Sequence, residues 1–83
     1  MQVVDAIEVG RKITISITVK EKNRDWLINS GDLSKLPRFQ AMAKQLLLRA
    51  ERSSDNYILT NVNHESYGAF GPVLYTFTWV KNE

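Results

Sequence analysis

Residues 34–52, SKLPRFQAMAKQLLLRAER, decide how this chain folds. At roughly 100° per residue, Leu36, Phe39, Met42, Ala43, Leu46, Leu47 and Ala50 gather on one face about 140° wide, which is the stripe of an amphipathic helix. Ser34 or Asp32 can cap its N-terminus, and Pro37 falls in the first turn, where a missing N–H does no harm. One apolar stripe needs one apolar surface to lie on. This is the lone helix-sized segment, so the flanking residues have to supply that surface as a sheet.

The stretch 12–20, KITISITVK, alternates regularly, with Ile13, Ile15, Ile17 and Val19 pointing one way and Thr14, Ser16, Thr18 and Lys20 the other. That is the period of a half-buried strand. The preceding run 3–9 is rich in β-formers, and the Gly10-Arg11 pair between them suits a two-residue type II′ hairpin, in which glycine takes the positive φ. Charged residues 20–25 end the second strand. Trp26, Leu27 and Ile28 then begin a connection broken by Asn29, Ser30 and Gly31, with Trp26 read as a plug beneath it. Beyond the helix, residues 53–56 form a turn-rich break, and 57–64 and 73–81 read as a second strand pair. In the last strand Val73, Tyr75, Phe77 and Trp79 share one side; Leu74, Thr76, Thr78 and Val80 share the other. The expected fold is α+β, ββαββ: a single mostly antiparallel four-stranded sheet with one helix packed on one face. The opposite face is then rich in Thr and Ser, which suits water or a second sheet in a dimer.

Size and composition narrow the function. A chain of 83 residues forms a single domain, 1–83, and buries only about 60% of its unfolded surface, so a homodimer that adds buried area is expected. No cysteine is present, which removes disulfides, thiolate metal sites and cysteine nucleophiles and favours an intracellular setting. The first ten residues show no cationic leader pattern, and no apolar run approaches the ~18–20 residues of a membrane span. The expectation is a cytoplasmic protein without a membrane partner. The formal charge of +2 and pI near 9.1 are too mild to identify a nucleic-acid binder alone. The position of the charge matters more than its amount.

That position is the helix. Arg38, Gln45, Arg49 and Arg52 fall along one flank, Lys44 sits across the polar face, and Glu51 is the sole acid after Asp32 within the helix segment. Guanidinium forks in such a row can bind phosphates or partner carboxylates bidentately. The competing reading is a solvated face whose last cations complement the helix dipole. Leu48 does not follow from that reading: an apolar side chain between Lys44 and Arg52 has the form of an interface anchor. A second candidate is the loop ESYGAFGP, residues 65–72. Gly68 and Gly71 lend it freedom there, while Tyr67 and Phe70 offer rings that stack on bases, fill a partner pocket or cover the end of the core.

Tyr75, Phe77 and Trp79 at period two resemble a base-stacking platform in pattern, but so small a domain needs that aromatic area for its core. His64 is the single histidine, and no clustered His, Asp or Glu at ligand spacing accompanies it. No catalytic residue, metal site or cofactor is assigned. The expected function is a small non-enzymatic binding protein that inhibits or regulates a macromolecular partner through a basic helix face, the kind of role an inhibitor, antitoxin or mobile-element accessory protein plays. Its footprint is Arg38, Lys44, Leu48, Arg49 and Arg52, with Tyr67 and Phe70 added, and its partner an acidic protein surface or a nucleic acid. The alternatives are an RNA or single-stranded DNA binding protein and a small ribonuclease-like hydrolase using His64.

Overall fold

In the computed structural model, which describes residues 2–21, 31–68 and 71–82, the two strands with the strictest alternation lie side by side at the centre of the sheet. In chain order the elements are β1 (Gln2–Val9), β2 (Lys12–Val19), a 3-10 turn (Leu33–Lys35), helix α1 (Pro37–Arg49), a second 3-10 turn (Ser54–Asn56), β3 (Tyr57–Ser66) and β4 (Val73–Lys81). One four-stranded sheet runs β1-β2-β4-β3 with every neighbouring pair antiparallel. The expected ββαββ arrangement is therefore the observed one. The expectations for Trp26 and Phe70 fall on positions outside the described residues.

Burial explains this order. Along β2 and β4 each inward position is apolar, and the register sets Ile13 opposite Trp79, Ile15 opposite Phe77, Ile17 opposite Tyr75 and Val19 opposite Val73. Seven of those eight residues are buried, and Val19 packs against them. The weaker inner faces belong to β1, which brings Ala6 and Glu8, and β3, which ends in His64 and Ser66, and these strands take the edges. A bulge in β3 between Leu59 and Asn61 lets Leu59 and Val62 both face the helix although they are three positions apart.

Helix α1 closes the core from one side with Phe39, Ala43, Leu46 and Leu47 buried. The Phe39 ring lies 5.0 Å from Tyr75 and 6.2 Å from Phe77, and Phe77 stacks on Trp79 at 5.8 Å. Tyr75, Phe77 and Trp79 are thus core, at 0–1% exposure, and do not present a stacking platform.

Both ends of the helix differ from the sequence expectation. Asp32 caps the separate 3-10 turn, accepting from the Ser34 amide at 3.0 Å and the Ser34 hydroxyl at 2.6 Å. Leu36 is extended (φ −82°, ψ 133°) and α1 begins at Pro37. The cause is local: the residue before a proline is disfavoured from helical geometry, while proline itself suits the first helical position. At the other end α1 stops at Arg49, because Glu51 takes a left-handed φ of 60°. The Glu51 amide donates to the Leu48 carbonyl at 3.0 Å and the Arg52 amide to that of Leu47 at 2.8 Å, a Schellman termination. Such endings usually carry glycine. A glutamate in that place hid this one, and Arg52 leaves the helical wheel on which it was set.

Candidate functional site

The surface of α1 turned away from the sheet carries Arg38, Lys44 and Arg49 and, over the whole of Pro37–Arg49, no acidic residue. Leu48 stands among them with 56% of its surface exposed. Its neighbours Leu46 and Leu47 are 1% and 2% exposed. Three consecutive leucines cannot all face a sheet at a helical period, so one of them has to point outward.

The cations are not equivalent. Arg38 forms an ion pair and hydrogen bond with Glu21, just past the end of β2, and that same carboxylate oxygen accepts from the Tyr75 hydroxyl at 3.0 Å. The Glu21 side chain is only 10% exposed. Arg38 therefore balances a largely sheltered carboxylate that in turn satisfies the one side-chain polar atom of a buried tyrosine.

Arg52 is likewise engaged. Its Nη2 donates to Glu8 Oε1 at 2.8 Å, and Tyr57 Oη donates to Glu8 Oε2, also at 2.8 Å. Glu8 lies on edge strand β1 and Tyr57 begins edge strand β3, so the three side chains join opposite edges of the sheet across the open end of the core. The Arg52 guanidinium, and after it the Tyr57 hydroxyl, hold the Glu8 carboxyl below its ordinary value. The bond to Glu8 conversely pushes the Tyr57 hydroxyl up and keeps Arg52 still more firmly protonated. Arg52 thus serves the fold as a latch. Its place in a free helical row is corrected by the Schellman turn, which aims the side chain back at β1. Sequence reading passed over Glu8, Glu21 and Tyr57; the usable signal was Glu8 itself, an acid in phase with the inner face once the Gly10 hairpin sets its register opposite Ile13.

Lys44 and Arg49 are different: among the described residues neither meets a carboxylate. Lys44 stands on the lip of a cleft of about 250 Å³ between α1 and β3, lined also by Gln40, Ala43, Leu47, Leu59 and Trp79. Arg49 flanks a smaller crevice on the β1 side, beside Ala6, Ile15, Leu46 and Ala50. With Leu48 between them they form a surface that is apolar at its middle and cationic on both sides.

The remaining candidates stand apart. Tyr67 belongs to the β3–β4 turn, where its amide donates to the Pro72 carbonyl at 3.1 Å, and its side chain is 49% exposed. Gly71 in this turn serves close approach more than freedom, because a Cβ there would come within 1.9 Å of the Tyr67 carbonyl oxygen. His64 is exposed on β3 opposite Tyr75, and no described side chain bonds to it. No group of three or more His, Cys, Asp or Glu among the described residues is placed to hold a metal ion, and no described helix is long and apolar enough to cross a membrane. No family model, curated protein or solved structure matches the chain.

Proposed function

We propose that this chain is a small binding protein that regulates or inhibits a macromolecular partner by covering an acidic patch on it with the exposed surface of α1. One observation carries the reading: Leu48 is exposed between Lys44 and Arg49, two cations that meet no carboxylate among the described residues, on a helix with no acidic residue. An apolar anchor desolvated at the centre of a contact, with charged groups at its margin, is the usual distribution of binding energy in protein interfaces. The cations steer the encounter toward negative charge and disfavour basic surfaces. Arg38 and Arg52, whose side chains are 45% and 39% exposed, flank this centre while holding their intramolecular pairs.

The test is the double reversal Lys44→Glu/Arg49→Glu in a pull-down from lysate, with and without nuclease. Because neither side chain joins an ion pair within the described fold, the variant stays folded, losing only the modest dipole stabilisation of Arg49 at the helix end, and it loses the partner. Retained capture by a folded variant rejects the helix surface as the footprint.

The half-exposed Tyr67 ring supports a second reading, RNA or single-stranded DNA, in which it stacks on a base. Nuclease treatment then removes the captured material, and affinity for a defined oligonucleotide falls log-linearly with salt. An apolar-centred protein contact keeps most of its affinity over the same salt range.

A further inference from the structure

We propose that the helix-free face of the sheet is a self-association surface, on which a second copy of this chain packs sheet against sheet. The face is continuous across all strands. Register places Val9, Lys12, Val80 and Ile58 in one crosswise row and Ile7, Thr14, Thr78 and Asn61 in the next, all pointing away from α1. Six large hydrophobic residues are exposed among the described positions, and four of them, Ile7 (51%), Val9 (71%), Ile58 (54%) and Val80 (37%), stand in these two rows. Apolar exposure concentrated in one patch, as opposed to scattered singly, marks a contact surface.

Three features select a second copy as the occupant. The first is charge. Among the described strand side chains on this face only Lys12 and Glu65 are charged, so a second copy of the same face brings few charges to bury. The α1 surface carries Lys44 and Arg49 with no acidic residue on the helix and would repel itself. The second is chemistry: the other described side chains on the face are Thr, Ser and Asn with Leu74, and the central Ser16 and Thr76 hydroxyls hydrogen-bond each other at 3.3 Å. Paired hydroxyls lose less than free ones when water is removed. The third is area. Four strands about 4.8 Å apart, each offering about eight residues of about 3.4 Å, give a flat footprint of about 500 Å² before the pleat is counted. A standard protein interface uses about 800 Å² per partner, so the whole face supplies a reversible dimer of modest strength.

A two-fold axis lying in the plane between the two sheets makes the contact isologous and closed. Both helices then face outward on opposite sides. The dimer carries two partner-binding surfaces, each clear of the other.

Sedimentation equilibrium or light scattering from micromolar to millimolar protein tests this without reference to any partner of α1. The mass of the wild type rises from 9.5 kDa toward twice that value. Ile58→Lys/Val80→Lys weakens association at least tenfold with an unchanged circular-dichroism spectrum, and the milder Val9→Thr/Ile58→Thr pair does the same if the lysines unfold the chain. The helix variant Lys44→Glu/Arg49→Glu dimerises like the wild type. A wild-type mass of one chain up to millimolar concentration overturns the proposal, and so does a dimer that persists in the folded face variants.

Discussion

Leu46 and Leu48 are two positions apart on the same helix and identical in chemistry, yet one is 1% exposed and the other 56%, so the pair of alanine variants isolates orientation alone. Leu46→Ala removes three carbons from a site enclosed by Ile15, Ala50 and the sheet. At ~0.8 kcal/mol per buried methylene the transfer loss is about 2.4 kcal/mol. Incomplete collapse around the vacated space brings such substitutions to about 3–4 kcal/mol. For a domain of this size, holding roughly 4–12 kcal/mol in all, that is a large fraction of the total. With a melting shift of about 4–8 °C per kcal/mol in domains of this length, it corresponds to a drop of roughly 12–30 °C. Leu48→Ala changes stability by less than about 0.5 kcal/mol, as surface truncations do, while costing partner affinity about tenfold if Leu48 is the anchor. The assay is urea and thermal melting followed by circular dichroism, paired with the pull-down. Equal destabilisation by the two substitutions, or a Leu46→Ala cost below about 1 kcal/mol, refutes the orientation of α1 and with it the binding surface.

Further expectations concern the latch and the helix end. Because Glu8 has its carboxyl lowered in the fold by Arg52 and Tyr57, its contribution is fully present above the ordinary glutamate range near pH 4–5 and is lost as the pH falls through the depressed folded value. Urea midpoints of the wild type should therefore fall more steeply than those of Glu8→Gln on acidification below about pH 4; superimposable acid limbs would remove the latch from the account. Glu51→Gly relieves a left-handed φ of 60° and should stabilise the chain by roughly 0.5–1 kcal/mol, read as a higher melting temperature. A lower one would show that the glutamate side chain contributes something its backbone geometry does not reveal.

Much of the candidate site was legible before any coordinates. The inward set Phe39, Ala43, Leu46 and Leu47 and the outward position of Leu48 follow from the helical period, and they hold. The roles of the four basic residues did not follow. Arg38 and Arg52 meet Glu21 and Glu8, which stand 17 and 44 positions earlier in the chain, and a helical wheel contains no information about contacts at such separations. The helix boundaries were missed for a local reason. The Schellman ending uses glutamate in the place of the glycine that would have announced it, and Pro37 opens the helix three residues after Ser34.

Patterning alone determines that this chain forms two hairpins and a helix and which side chains each turns inward, because periods of two and 3.6 are properties of the backbone and act within a few residues. Gly10 with φ 61° between paired Val9 and Lys12 shows the same locality. The strand order β1-β2-β4-β3 is a tertiary decision: it brings the two richest apolar faces together beneath α1, a choice made by total burial and not by any segment. Tertiary structure also separates the cations. Those within reach of a distant carboxylate became part of the scaffold, while Lys44 and Arg49 have no such neighbour among the described residues.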